Sequence, residues 1–314
     1  MGTVTRLFKS FFTLPIILVY SMNCLGQSSN PTNFSGTSYL NCCTSNGAII
    51  VAVGNSGSIL SSPDGISWKQ RSSGTNSHLT GIIWTGAQFM AVGLNGTMLQ
   101  SSDGVAWNIC QTGATTDFYG IASSGTNFVI VGDSGKVYTS SDAKTWAPHF
   151  AGTKSGLKSI TWTGKKFIAV GNFGTMVSST DGGNWTAIAP FTQSTLNNII
   201  WTGSTLATIS STMVYLSSDG LTWKSCFPNT AIKDLQSITW TGKQFIAAGE
   251  GGIMTSRDGV SWMDRFSDNG KYLNAITWTG KQLVTVGDYG AILVSEDGVS
   301  WVDRKLQMCM ASTR

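Results

Sequence analysis

The chain has 314 residues and a formal net charge of +4 at pH 7, and charged residues make up only 11% of it. Because Lys and Arg form no run or stripe, the composition gives little support to nucleic-acid binding. The low charge and the 37 glycines are typical of many short strands joined by tight turns.

Residues 1–26 predict an export signal. Arg6 and Lys9 precede an apolar stretch, and small or modest residues follow it as far as Gly26. The stretch is shorter than the ~20 apolar residues that a membrane helix requires, so no membrane span is expected. We expect cleavage after Gly26 and a secreted, periplasmic or cell-surface protein. The alternative is a lipid anchor at Cys24.

A seven-residue motif, Ser-x-Asp-Gly-x-x-Trp, recurs at steps of 38 or 39 residues, six times in full and once without the glycine, and we call it the box. Its carboxylate and hydroxyl are predicted to accept backbone N–H groups that the sharp turn leaves unpaired, and its Trp to anchor the next strand between repeats. Because every repeat carries it, a structural role is favoured over metal binding or catalysis. The box aspartates are Asp64, Asp103, Asp142, Asp181, Asp219, Asp258 and Asp297.

Each repeat also predicts four short strands, A to D. In the fourth repeat they are residues 157–162, 166–170, 175–179 and 184–188, and the Gly-containing turns between them favour an antiparallel meander. Strand A often ends in a second tryptophan, for which core packing is favoured over a sugar-stacking role. These tryptophans are Trp84, Trp162, Trp201, Trp240 and Trp278.

Four-stranded units of about 40 residues, repeated four to eight times, predict a β-propeller, because such a sheet must bury its faces against its neighbours. The predicted fold is all-β, a seven-bladed β-propeller of four-stranded antiparallel blades. It spans residues 40–305, after a lead-in of residues 27–39 and before a tail of residues 306–314. A monomer is expected.

The repeats resemble those of the Asp-box propellers, also called bacterial neuraminidase repeats, and especially the seven-bladed photosystem II assembly-factor type. The resemblance spans residues 40–304 and implies the propeller fold and a role in assembly. The family's box reads Ser-x-Asp-x-Gly-x-Thr-Trp, one residue longer than the box here. Two repeats are irregular: Ala143 replaces the box glycine, and residues 206–214 have lost the Val-Gly-x-x-Gly turn and one residue, so the fifth blade is expected to be distorted.

Antiparallel alternation divides the connections between two faces. The A-to-B turns and the boxes share one face, which we call the box face, and the B-to-C turns and D-to-A connections share the other, the turn face. The D-to-A connections vary between repeats, and variation on one face of a repeat scaffold commonly marks its binding surface. His78 and His149 are both predicted on the turn face.

The best candidate for a ligand-binding site is the ring of B-to-C turns on the turn face. It combines carboxylate and amide acceptors with flat apolar rings, a mixture that suits a sugar, a peptide or a cation, although Asn and Asp also simply suit turns. The candidate residues are Asn55, Asp133, Asn172, Phe173, Glu250, Asp288 and Tyr289.

Evidence for catalysis is thin. Glu250 and Asp288 are the one neighbouring pair of carboxylates in equivalent turns, and glycosidases need such a pair about 5 to 10 Å apart. No zinc-ligand spacing and no serine-hydrolase elbow is present, so no catalytic residue, metal or cofactor is predicted. The favoured function is a non-catalytic module that binds or scaffolds a protein or glycan partner, and the alternative is a carbohydrate-active hydrolase or lyase.

Five cysteines remain after the leader, an odd number. Cys110 and Cys226 occupy equivalent positions on different blades, too far apart to pair. A bridge from Cys309 to Cys42 or Cys43 would join the two ends of the ring, and free thiols are the alternative.

Overall fold

In the computed structural model, which describes residues 39–228 and 230–304 and only the backbone of residues 267–269, the chain forms a seven-bladed β-propeller. Blades 1 to 5 are four-stranded antiparallel sheets with their strands in the order A, B, C, D, and blades 6 and 7 share one antiparallel sheet of six strands. The fold predicted from the repeats is confirmed. The predicted export signal of residues 1–26, which contains Cys24, and the predicted tail, which contains Cys309, lie outside the described residues.

The strands of the first four blades follow one another without interruption. Blade 1 contains Leu40–Ser45, Ile50–Gly54, Ile59–Ser62 and Lys69–Arg71; blade 2 contains Leu79–Trp84, Phe89–Gly93, Met98–Ser101 and Asn108–Ile109; blade 3 contains Phe118–Ser123, Phe128–Gly132, Lys136–Ser140 and Ala147–Phe150; and blade 4 contains Leu157–Trp162, Phe167–Gly171, Met176–Ser179 and Thr186–Ile188. In blade 4 the predicted bounds hold to within two residues.

The last three blades differ in how their strands are joined. Blade 5 contains Asn198–Trp201, Leu206–Ile209, Val214–Ser217 and Lys224–Cys226; blades 6 and 7 share Lys233–Trp240, Phe245–Ser256, Met263–Trp278, Leu283–Gly287, Ile292–Ser295 and Val302–Asp303. Phe245–Ser256 covers strands B and C of blade 6, and Met263–Trp278 covers strand D of blade 6 and strand A of blade 7.

Apolar clusters lie between neighbouring blades and hold the ring together. Between blades 1 and 2, for example, Val51 and Ile59 pack with Phe89 and Leu99, all fully buried. Trp107 of the box packs against this cluster, and Trp84 lies with its ring centroid 4.7 Å from that of Phe89. Tryptophans of the boxes and tryptophans that end strand A both lie in or against these clusters, which confirms the predicted core role for these residues.

The first and last blades meet without sharing a strand among the described residues. Side chains close the ring instead. Asn274 Nδ2 of blade 7 donates to Leu40 O of blade 1 at 3.0 Å, and Gln282 Nε2 donates to Asp64 O at 2.9 Å. Cys43 is buried and its Sγ lies 3.7 Å from Val284 O in blade 7. The bridge to Cys309 stays a prediction.

The box ties its own turn together. In blade 5, Asp219 Oδ1 accepts the backbone N–H groups of Leu221 and Thr222 at 2.7 and 2.8 Å, and it also accepts the Ser217 hydroxyl at 2.9 Å. Ser217 Oγ in turn accepts the N–H of Gly220 at 2.8 Å. The predicted use of the box carboxylate and hydroxyl as backbone acceptors is confirmed.

The boxes make the fold sensitive to acid. Hydrogen bonds from the backbone, the largest from the N–H three residues on, lower the pKa of all seven box aspartates below the usual 3.8, that of Asp219 to about 2. A carboxylate with a lowered folded pKa stabilises the fold above its unfolded pKa, and that stabilisation is lost as pH falls through the folded value.

We therefore expect the box aspartates to change the thermal midpoint little between pH 7 and 5, and the midpoint to fall steeply below pH 4. Differential scanning calorimetry across pH 2 to 7 measures this, with Asp219→Asn expected to flatten the slope; an unchanged midpoint at pH 2 would contradict it.

Candidate functional site

The structure places the connections on two faces as predicted. The B-to-C turns lie against the residues that precede strand A: Asn55 N donates to Tyr39 O at 2.9 Å, and Asn172 N donates to Gly156 O at 3.0 Å. On the box face, Gln244 Nε2 of an A-to-B turn donates to Asp297 O of the neighbouring box at 2.9 Å. One position was wrong: His149 belongs to strand D, where it bonds Thr139 at 2.9 Å beside the box of blade 4, so it does not lie on the turn face.

The B-to-C turns share an unusual backbone. The second residue between the two turn glycines has a left-handed conformation, with φ between 53° and 55°. This conformation costs an L-residue about 1 to 2 kcal/mol relative to ordinary helical geometry, and bulky side chains seldom adopt it. The residues in this position with these angles are Ser56, Asn95, Ser134, Phe173 and Tyr289.

Phe173 and Tyr289 stand out because their side chains also project into solvent. They are 71% and 65% exposed, so neither ring gains the burial that would offset its backbone strain. Ser and Asn occupy the same position in blades 1, 2 and 3, which shows that the turn does not need an aromatic ring. Backbone strain that is offset by little burial of the side chain is typical of binding sites.

The other predicted site residues sit around the same ring of turns. Asn55 Oδ1 accepts the Asn41 amide at 2.9 Å, and Asp288 Oδ1 accepts the Asn274 amide at 2.8 Å. Asp133 Oδ2 accepts the hydroxyl of Ser134 at 3.0 Å.

Asp133 and Asn172 belong to neighbouring blades and approach each other across Gly156. A methyl group at Gly156 would lie 3.1 Å from Asn172 Nδ2 and 3.3 Å from Asp133 Oδ1. The structure thus brings these two predicted residues together.

A second group forms where blades 6, 7 and 1 meet. Tyr39 and Tyr289 have ring centroids 5.5 Å apart, and the pKa of Tyr39 is raised by its hydrogen bond with Tyr289 and by the charge of Asp288. The pKa of Tyr272 is raised by its hydrogen bond to Glu250, with further contributions from burial and from the charges of Glu250, Asp234 and Asp288. Tyr39 thus contacts Tyr289, Tyr272 contacts Glu250, and Asp234 and Asp288 act on these tyrosines through their charge. We call Tyr39, Tyr272, Tyr289, Asp234, Glu250 and Asp288 the aromatic–acidic patch.

A cavity of about 320 Å³ opens beside the patch and is lined by Lys233, Glu250, Lys271 and Tyr272, together with small residues. Lys271 Nζ lies 2.9 Å from Asp303 Oδ2 and 5.7 Å from the ring centroid of Phe266. The cavity belongs to blade 6, where strands continue through the positions at which other blades turn. It combines charged groups of both signs with an aromatic ring.

The central channel was not predicted from the sequence; it is a cavity of about 250 Å³ lined by residues of the A strands and by Asn197 just before one of them. Six of its lining residues directly follow the first buried residue of a blade, at or just before the start of strand A, and several bind the next blade. Thr80 Oγ1 donates to Phe118 O at 2.7 Å, and Asn197 Nδ2 donates to Leu235 O at 2.8 Å. The sequence signal that could have predicted the channel is the polar residue that follows the first buried residue of each repeat. The six residues are Asn41, Thr80, Tyr119, Lys158, Asn197 and Asn274.

Within the part of the chain that the structure describes, no three His, Cys, Asp or Glu side chains converge as metal ligands do. Glu250 and Asp288, the pair considered for catalysis, both influence Tyr272 and sit on neighbouring blades. Over the same residues no helix has the length and apolar character needed to cross a bilayer.

The class of fold is thus a β-propeller, and comparison with known proteins agrees. No protein-family model and no curated protein matches the chain. Among solved structures, YCF48 from Cyanidioschyzon merolae aligns with a TM-score of 0.67 at 17% identity, covering 82% of this chain and 95% of that one. YCF48 bound to D1 peptide aligns with a TM-score of 0.61 at 19% identity, covering 73% of this chain and 81% of that one. At these identities the likeness shows the fold alone.

Proposed function

We propose that this protein is a secreted, non-catalytic β-propeller that binds a segment of a protein partner across its turn face. The observation that carries the proposal is the pair of exposed aromatic rings, Phe173 and Tyr289, held on strained turns that tolerate serine elsewhere in the ring. Exposed aromatic side chains commonly dominate the energy of protein–protein contacts. Secretion rests on the leader, residues 1–26.

The similarity to YCF48 supports a peptide as the partner, because that propeller was solved with a D1 peptide bound. A role in assembly and a relationship of the boxes to the Asp-box repeats belong to the same proposal. Both rest on the sequence resemblance.

The box face offers a useful contrast. Ile66 and Leu221 are 55% and 66% exposed there, yet both have ordinary backbone angles and follow the box aspartate in the same place. Their N–H groups donate to the box carboxylate, so the backbone at this position helps to hold the box turn together. Among the residues that the structure describes, the exposed rings on a left-handed backbone, Phe173 and Tyr289, both lie on the turn face.

Selection from a library of random 12-residue peptides on the immobilised protein tests the proposal. We expect the wild type to enrich a peptide set that the Phe173→Ser/Tyr289→Ser variant does not retain. The matched control, Ile66→Ser/Leu221→Ser, makes the same kind of change on the box face and should retain the set. No enrichment by the wild type, with capture of sugars on a glycan array instead, would replace the protein partner with a glycan.

A further inference from the structure

The aromatic–acidic patch carries an inference that rests on the proposed function and sharpens it. We propose that the patch is the docking surface for a basic side chain, Arg or Lys, in the bound segment of the partner. A basic side chain is proposed because the patch combines exposed tyrosine rings with carboxylates, and such a surface is complementary to a positive charge.

The geometry supports a cation-binding surface. Tyr289 is exposed on its strained turn and its ring lies 5.5 Å from that of Tyr39. Tyr272 is 37% exposed and opens onto the cavity of about 320 Å³ beside it. A Lys ammonium or Arg guanidinium over a tyrosine face is attracted by the negative charge of the ring face, and more strongly when it is partly removed from water.

The charge of the patch has the sign that such a ligand requires. Glu250 is the cross-strand partner of Tyr272 and is hydrogen-bonded to it, and the negative charges of Asp234 and Asp288 also raise the pKa of this tyrosine. Lys233 lines the adjacent cavity and offsets one of them, while Lys271 is paired with Asp303 at 2.9 Å. Three negative charges against one positive charge leave a local balance of −2.

The carboxylates are already held in place, which favours binding over rearrangement. Asp288 accepts the Asn274 amide at 2.8 Å, and Asp234 accepts the Ser211 hydroxyl at 2.8 Å. These donors are neutral, so they orient the carboxylates without neutralising them. A carboxylate fixed in this way loses little side-chain entropy when a guanidinium pairs with it.

The opposite side of the turn face has a different character. Phe173 is 71% exposed on the B-to-C turn of blade 4, and Lys158 of the same blade lines the central channel. A segment that crosses the channel mouth from blade 4 to blade 7 would therefore place its apolar residue at Phe173 and its basic residue at the patch.

The test uses the random peptide library on the full protein and on the Glu250→Gln/Asp288→Asn variant, which keeps the side-chain shapes and the acceptor oxygens. We expect wild-type peptides to be enriched in Arg and Lys, and this enrichment to disappear in the variant. The tightest wild-type peptide should lose about tenfold in affinity when its basic residue is replaced, citrulline for Arg or norleucine for Lys. Glu296→Gln, which removes one exposed carboxylate on the box face, is the control for loss of negative charge away from the patch and should leave the enrichment unchanged.

The outcomes separate this inference from the proposed function. Peptides enriched through Phe173 and Tyr289 but without a basic bias, or with a bias that the variant keeps, would overturn the inference and leave the proposed function standing. Absence of any enriched peptide from the wild type would overturn both. Equal thermal midpoints for wild type and variant confirm that any lost bias is not a loss of folding.

Discussion

The Gly171→Ala variant is expected to lose about 3 kcal/mol of folding free energy, a large part of the stability of a typical domain. Gly171 has an ordinary extended backbone with φ of −172°, so the cost is steric. A Cβ there would lie 2.0 Å from Gly156 O and 2.9 Å from Leu157 Cα, and backbone atoms cannot move away as a flexible side chain can. Chemical denaturation, with the midpoint and slope both measured, gives the change.

Gly164→Ala is the matched control, because Gly164 has φ of +85° and open space around its missing side chain. It should cost only the left-handed strain of alanine, about 1 kcal/mol. Equal losses for the two variants would show that the close approach at Gly171 does not constrain the turn.

Blade 5 supports this interpretation. Ser210 stands in the place of Gly171, and the turn there is one residue shorter, with Ser210 N donating to Met213 O at 2.9 Å rather than to a residue four positions on. The sheet of blade 5 remains regular, so the predicted distortion is confined to the turn. The glycine and the extra turn residue were therefore lost together, because it is the longer turn that brings the backbone into the close approach seen at Gly171.

The Phe173→Ser/Tyr289→Ser variant is expected to bind the tightest selected peptide at least about 30-fold more weakly than the wild type, the loss typical of one aromatic hot spot. Stability should fall by no more than the loss of the Tyr39–Tyr289 ring contact, about 1 kcal/mol, because both rings are exposed and serine already occupies this turn position in blades 1 and 3. Fluorescence anisotropy of the labelled peptide measures the affinity, and calorimetry measures the thermal midpoint.

Two results would count against this expectation. Unchanged affinity would remove the aromatic rings from the binding surface. A large fall in the thermal midpoint would mean that the rings stabilise the fold, and that their strain has a structural return. Ile66→Ser/Leu221→Ser should change neither quantity by much.

The fold could be predicted from the sequence because every repeat carries the same turn residues and the same packing residues. The box aspartates and tryptophans recur at a nearly constant step, and a four-stranded sheet of 39 residues must pack against copies of itself. Strand ends were predicted to within two residues in blade 4, since glycines mark the turns. The continuous strands Phe245–Ser256 and Met263–Trp278 were not foreseen, because the local pattern there still resembles two strands and a turn.

The site could be predicted only in part. Phe173 and Tyr289 were proposed as site residues because they add flat apolar rings to the carboxylate and amide acceptors of the B-to-C turns. Tyr39 and Tyr272 were missed, since each precedes a strand A and their approach to the preceding blade depends on how the ring closes. His149 was misplaced because the end of the box does not show where strand D stops. Contacts between blades follow from tertiary packing, and the spacing within one repeat does not contain them.

Hydrogen exchange of the complex with the tightest selected peptide tests most directly whether the turn face is the binding surface. The peptide should slow exchange in residues 171–175 and 287–291 and leave the box turns unaffected. Slowed exchange confined to the box turns, with residues 171–175 and 287–291 exchanging as in the free protein, would contradict the assignment of the binding surface to this face.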